Sequence, residues 1–101
     1  MARSVIQLPR EAIERFCREH HIRRLSLFGS VLTDRFGPES DVDILVELEL
    51  GYAVGYIGLA RMEIELARML GRKVDLRTPA ELSRYFRDEV LRTAEVQYAA
   101  E

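Results

Sequence analysis

The 101-residue sequence has one cysteine, no tryptophan, three prolines and no long apolar run. The single cysteine, Cys17, excludes an intrachain disulfide, and with only two histidines in the chain there is no recognisable zinc-ligand spacing. No segment approaches the roughly 18 consecutive apolar residues of a membrane helix, and the N-terminus lacks the apolar centre of a secretory signal. These absences predict a cytoplasmic protein without a membrane partner.

The sequence also lacks a strong excess of charge of either sign, since 15 basic and 17 acidic residues give a net charge of −2. All but one of the basic residues are arginines, which suit forked contacts to phosphates or carboxylates, but they are scattered among acids. A basic stripe that would follow a nucleic-acid backbone is missing, so we expect no direct nucleic-acid partner. The acids concentrate in residues 36–66, where a cation would therefore bind.

The length favours one domain over residues 1–101, too small for a catalytic domain plus a separate acceptor-binding domain. Any large acceptor must then come from a partner. Hydrophobic periodicity and turn residues predict helices over residues 9–20, 31–36, 59–70 and 79–98, the last with a break near Asp88, and strands over residues 25–28, 41–50 and 73–77. This order predicts an α/β or α+β fold, a small mixed sheet flanked by helices.

The second predicted strand alternates between an apolar face and an acidic face. The apolar face consists of Val42, Ile44, Val46, Leu48 and Leu50. The opposite face consists of Asp41, Asp43, Leu45, Glu47 and Glu49. Such a strand has one buried side and one side that is available for chemistry.

Asp41 and Asp43 project from the same face of that strand, so the two carboxylates repel each other unless a cation neutralises them. Mg²⁺ suits the pair, because it prefers oxygen ligands and keeps positions free for substrate phosphates. Asp75, on the polar face of the third strand, is the natural third carboxylate. Three acids from two strands could hold two metal ions about 3.5–4 Å apart. A solvated strand face is the alternative interpretation of these aspartates.

Gly29 and Ser30 follow the first predicted strand and supply the second half of the predicted site. Gly29 has no side chain to obstruct a phosphate, and Ser30 offers a hydroxyl and a backbone N–H at the start of a predicted short helix. Taken alone, a Gly-Ser pair is usually only a turn. The joint pattern of an apolar strand, Gly29-Ser30, ten residues and Asp41-Val42-Asp43 is much more specific.

The stretch from Leu27-Phe28-Gly29-Ser30 to Asp41-Val42-Asp43-Ile44 resembles the signature of the DNA polymerase beta-like nucleotidyltransferase superfamily, in its minimal-nucleotidyltransferase branch. The likeness extends through Lys73-Val74-Asp75-Leu76. It implies a nucleotidyltransferase fold. It also implies that Gly29 and Ser30 bind phosphate, that Asp41 and Asp43 ligate Mg²⁺, and that Asp75 completes the metal site or assists deprotonation of the acceptor hydroxyl.

Minimal members of this family are often the antitoxin of a HEPN-type ribonuclease toxin, and some transfer AMP from ATP to a tyrosine of that toxin. The resemblance therefore implies ATP as substrate and a HEPN-family toxin as partner. The sequence leaves open whether the protein forms a homo- or a hetero-oligomer. Many relatives carry arginines just after the Gly-Ser pair, whereas this chain has Val31, Leu32, Thr33 and Asp34. That departure motivates the alternative of a non-catalytic antitoxin that neutralises a toxin by contact. Transfer to a small molecule is a third possibility, disfavoured by the short chain.

Overall fold

The computed structural model describes residues 6–100. The predicted domain of residues 1–101 also includes residues 1–5 and 101, which lie outside the described residues. The elements are α1 (Arg10–Glu19), β1 (Ile22–Phe28), a 3₁₀ turn (Gly29–Leu32), β2 (Val42–Leu48), α2 (Tyr56–Leu70), β3 (Val74–Arg77), a second 3₁₀ turn (Pro79–Glu81), α3 (Arg87–Thr93) and β4 (Glu95–Ala99). None of the helices in this range is long and apolar enough to cross a membrane.

The four strands form one mixed sheet in the order β3-β2-β1-β4. β1 runs antiparallel to both of its neighbours, whereas β2 and β3 are parallel. A parallel pair requires a crossover connection, and α2 is the helix that supplies it. The predicted small mixed sheet flanked by helices is therefore confirmed.

Helices α1 and α2 cover one face of the sheet, as their apolar periodicity requires. Phe16 and Cys17 of α1, together with Met62 and Leu66 of α2, are buried against the inward side chains of the strands. Gly71 ends α2 with φ +65, the left-handed conformation that a glycine adopts at low cost. The opposite face of the sheet carries the acidic side chains, so packing and chemistry are separated.

The predictions for β2 and the segment before it need three corrections. The expected helix over residues 31–36 is a 3₁₀ turn that ends at Leu32, because Thr33 is extended and both its N–H and its hydroxyl donate to the Ser30 carbonyl. Leu50 lies beyond the strand and is 97% exposed, instead of facing the core. Leu45 is buried on the predicted acidic face. The acidic face of β2 is thus partly covered by other parts of the protein.

The C-terminal prediction of one helix over residues 79–98 is wrong. The Thr78–Glu81 capping box starts only a 3₁₀ turn, α3 begins at Arg87, and β4 follows directly. β4 pairs with β1, with Tyr98 opposite Leu25. Tertiary pairing thus overrides the local helical pattern.

Candidate active site

On the polar face of the sheet, one residue from each of three neighbouring strands lies in a single row across the strands. Phe28 at the end of β1 is in register with Asp43 of β2, and Asp43 is in register with Asp75 of β3. Side chains at paired positions share a face, so the carboxylates of Asp43 and Asp75 lie side by side across the parallel pair. Asp41 stands one residue before β2 and is exposed to solvent.

The turn after β1 holds the central carboxylate of this row. Gly29 has φ +76, and a Cβ built on it would overlap Oδ2 of Asp43. The next residue, Ser30, donates its backbone N–H to the Asp43 carboxylate. The amide that the sequence assigns to phosphate is therefore used here to fix a carboxylate, and the phosphate role of Gly29 and Ser30 stays a prediction.

Electrostatics at Asp43 are unfavourable to its charge. Burial, followed by the negative charges of Asp75 and Asp41, raises the pKa of the Asp43 carboxyl above its ordinary value. The positive charge of Arg77 and the hydrogen bond from Ser30 oppose this shift in pKa. Asp41 and Asp75 thus both act on Asp43 at this end of the sheet, although Asp75 stands on a different strand.

Arg77 is a basic residue that interacts with two of these acids, Asp75 and Asp43. It lies two residues after Asp75 on β3, and its Nε and Nη2 donate to Oδ1 and Oδ2 of Asp75 at 3.1 and 3.4 Å. The hydrogen bond and charge of Asp75 raise the pKa of Arg77. Strand alternation predicts that the two side chains share a face, but the sequence does not reveal the forked ion pair.

Arg72 has a structural function that the sequence does not reveal. It stands in the turn between α2 and β3, where its Nη2 donates to the carbonyls of Gly37 and Ser40, and its guanidinium lies 4.3 Å from the ring centroid of Phe36. These contacts tie residues 36–40 to the body of the protein. Since Ser40 directly precedes Asp41, these contacts of Arg72, called the Arg72 clamp below, help to fix the position of Asp41.

The three aspartates suit a hard divalent cation through the chemistry of their oxygen donors and their mutual repulsion. Among residues 6–100, the only group of three potential ligands within 4.8 Å of one another is Glu19, His20 and Glu65, where α1 and α2 meet. The carboxylate oxygens of Asp41, Asp43 and Asp75 do not all lie within that distance of one another. Of these three residues, Asp75 forms the ion pair with Arg77.

Comparisons with known proteins identify the family of the chain. The family model for the nucleotidyltransferase domain matches residues 9–97. A protein of Methanocaldococcus jannaschii with the name "Putative protein adenylyltransferase" is 34% identical over 76 residues, which cover 75% of this chain and 80% of the relative.

Three solved structures have the same fold. A "putative minimal nucleotidyltransferase" is 35% identical with a TM-score of 0.69, over 84% of this chain and 85% of its own. A toxin-antitoxin crystallised with AMP-PNP has a TM-score of 0.75 at 22% identity, over 93% and 76% of the two chains. A complex of tri-AMPylated Shewanella oneidensis HEPN toxin with MNT antitoxin has a TM-score of 0.65 at 20% identity, over 90% and 70%. By its family match and its similarity to these relatives, the chain belongs to the nucleotidyltransferase domain family and is an enzyme of that class.

Proposed function

We propose that this protein transfers AMP from ATP to a hydroxyl group of a protein partner, and that the acceptor is a tyrosine of a HEPN-type toxin. The observation that carries the proposal is the in-register pair of Asp43 and Asp75 on adjacent parallel strands, beside the Gly29 turn. Asp41 adds a third carboxylate at the solvent side. Asp41 is exposed and the Asp75 side chain is 37% exposed, so a triphosphate and an acceptor can reach this row from solvent.

In the proposed reaction the acceptor hydroxyl oxygen attacks the α-phosphorus of ATP. The bond from that phosphorus to the oxygen of the β-phosphate breaks, and pyrophosphate leaves with the negative charge. The hydroxyl proton passes to the Asp75 carboxylate, which is 37% exposed and thus within reach of an incoming acceptor. Because such transfers need little covalent help from the protein, positioning and charge neutralisation account for most of the rate.

Asp41, Asp43 and Asp75 would hold divalent cations, for which we propose two Mg²⁺ ions. Bound there, the ions supply the positive charge that the oxygens of the triphosphate and of the attacking hydroxyl require. The chain's own contribution is the geometry of the carboxylates. In particular, Ser30 and Gly29 fix Asp43 from one side, and the register with β3 fixes it from the other.

The choice of a protein acceptor is supported by two kinds of observation. The relative from Methanocaldococcus jannaschii is named as a protein adenylyltransferase, and a complex of the same fold contains an AMPylated HEPN toxin. The chain itself leaves Tyr56 and Ile57, at the start of α2, 86% and 75% exposed. Such an exposed surface is suited to contact with a protein acceptor.

The test is labelling of a co-purified HEPN-type partner with ATP that carries the label on the α-phosphate. We expect Asp43→Asn and Asp75→Asn to lower labelling by at least about 100-fold, the loss typical when a group that stabilises transition-state charge is removed. Asp34→Asn is the matched control, because Asp34 is exposed in the loop before Gly37 and outside the row. Label on the γ-phosphate should not transfer. Equal labelling by wild type and both variants would reject the proposal.

Neutralisation by contact alone is the second candidate, favoured by the exposed apolar side chains of α2 and by the lack of a basic residue in positions 31–34. The same variants separate the two functions in cells that express the toxin. Full protection by Asp43→Asn would favour a non-catalytic antitoxin. Loss of protection while the complex still forms would favour catalysis.

A further inference from the structure

The forked contact between Arg77 and Asp75 occupies both oxygens of a proposed metal ligand. Nε of Arg77 is 3.1 Å from Oδ1, and Nη2 is 3.4 Å from Oδ2. A carboxylate has about four acceptor sites, so the two N–H groups take up one site on each oxygen and place a positive charge where a cation would approach. Arg77 and a divalent cation therefore compete for the same atoms.

The competition takes place at a charged cluster. Asp75 is in register with Asp43, and Asp43 also experiences the negative charge of Asp41. Arg77 is the basic side chain that acts favourably on Asp43 as well as on Asp75. It thus relieves the repulsion that the three acids create when they stand alone.

A cation can also displace Arg77 from this ion pair at low cost. The side chains of Arg77 and Asp75 are 45% and 37% exposed, so solvent screens their attraction. Exposed pairs of this kind contribute little to stability, and a doubly charged cation with several oxygen ligands is a stronger partner for the carboxylate.

We propose that Arg77 is a positioning residue that occupies the Asp75 carboxylate until a divalent cation displaces it. This inference rests on the proposed function, because it takes Asp41, Asp43 and Asp75 as the cation site. Arg77 partly offsets the negative charge of the three aspartates before loading. Loading then requires the guanidinium to leave, which makes cation binding weaker than the carboxylates alone would allow.

The experiment measures binding of Mn²⁺ alone, by paramagnetic resonance of the free ion, without nucleotide or partner. We expect Arg77→Gln and Arg77→Ala to bind Mn²⁺ about two- to fivefold more tightly than wild type, the range that corresponds to an exposed ion pair. Arg18→Ala is the matched control, because Arg18 pairs with Glu14 on α1, on the covered face of the sheet. It should bind Mn²⁺ as wild type does, and thermal unfolding without metal verifies that each variant folds.

A double-mutant cycle separates displacement from general charge. In the Asp75→Asn background, the gain from Arg77→Gln should shrink to the part that comes from the charge of Arg77 on Asp43, because the contested carboxylate is gone. A gain of the same size in that background would show that charge alone, without the contact to Asp75, explains the effect, and would overturn the inference. Equal Mn²⁺ affinity of wild type and Arg77→Gln would overturn it while leaving the proposed function intact. Absence of Mn²⁺ binding by wild type and by the Arg77 variants would overturn both.

Discussion

Gly29 and Asp43 share a space that holds a carboxylate but cannot also hold a methyl group. A Cβ at position 29 would overlap Oδ2 of Asp43, and Gly29 has φ +76. Two independent constraints therefore act on this position. One is the left-handed backbone of the turn, and the other is the close approach of the carboxylate from β2.

Gly29→Ala should weaken the site more than it weakens the fold. The positive φ costs about 1–2 kcal/mol of folding free energy for a residue with a Cβ. In addition, the new methyl group must push the Asp43 carboxylate away from the Ser30 N–H. We expect Mn²⁺ binding and AMP transfer to fall by about tenfold or more, since a displaced catalytic group is costly. Calorimetry and the labelling assay measure the two effects.

Gly51→Ala is the control for backbone strain. Gly51 has φ +89, but nothing lies within 4 Å of the position that its Cβ would take. This variant should lose a similar amount of stability and keep its activity and Mn²⁺ binding. If the two alanine variants lost activity equally, the contact between Gly29 and Asp43 would not explain the effect.

Arg72→Met should loosen the approach to Asp41. Arg72 donates to the carbonyls of Gly37 and Ser40 and lies over the ring of Phe36, so its removal frees residues 36–40. We expect faster amide hydrogen exchange in that segment, a loss of about 1–2 kcal/mol in global stability, and weaker Mn²⁺ binding. Arg68→Met is the control, since Arg68 is exposed in the last turn of α2. Unchanged exchange in residues 36–40 would refute the clamp.

The aspartates of the site could be predicted from the sequence because strand alternation is a local property. Spacing alone places Asp41 and Asp43 on one side, and the resemblance points to Asp75. The register that puts Asp75 beside Asp43 depends on how β3 pairs with β2 across α2, and no short sequence pattern specifies this pairing.

The errors have a common origin in tertiary contacts. β4 was predicted as helix because residues 94–98 continue a helical segment, yet pairing with β1 determines their conformation. Leu45 was predicted on an exposed face because alternation identifies faces but not what covers them. The contacts of Arg72 and Arg77 were likewise beyond prediction, since scattered arginines carry no spacing that identifies their partners.

Glu63 should stabilise the open edge of the sheet. β3 is an edge strand, and the backbone N–H of Leu76 donates to Oε2 of Glu63 on α2 at 2.8 Å. Glu63→Ala leaves that partly buried donor without its acceptor, which should cost about 1–3 kcal/mol in urea unfolding. Glu63→Gln keeps an oxygen acceptor of the same length and should retain most of the stability. Equal loss in both variants would indicate that the negative charge, rather than the hydrogen bond, matters.

The Cys17 thiol should make folding stability fall at alkaline pH. The residue is fully buried in the core, and burial raises the pKa of its thiol from 9.0 to about 12. Between these values the unfolded chain releases the proton while the folded chain retains it, so rising pH favours the unfolded state. Below pH 9 the thiol is protonated in both states and contributes no slope.

Urea unfolding from pH 7 to 10.5 under reducing conditions tests this expectation against Cys17→Ala. The variant should have a constant offset from its smaller side chain, whereas wild type should lose up to about 1.4 kcal/mol more per pH unit above pH 9. Groups that titrate in both proteins cancel in the difference. Parallel curves for the two proteins up to pH 10.5 would mean that the folded thiol ionises as readily as the unfolded one. In that case rapid reaction of the native protein with a thiol reagent should follow, because the thiolate is the reactive form.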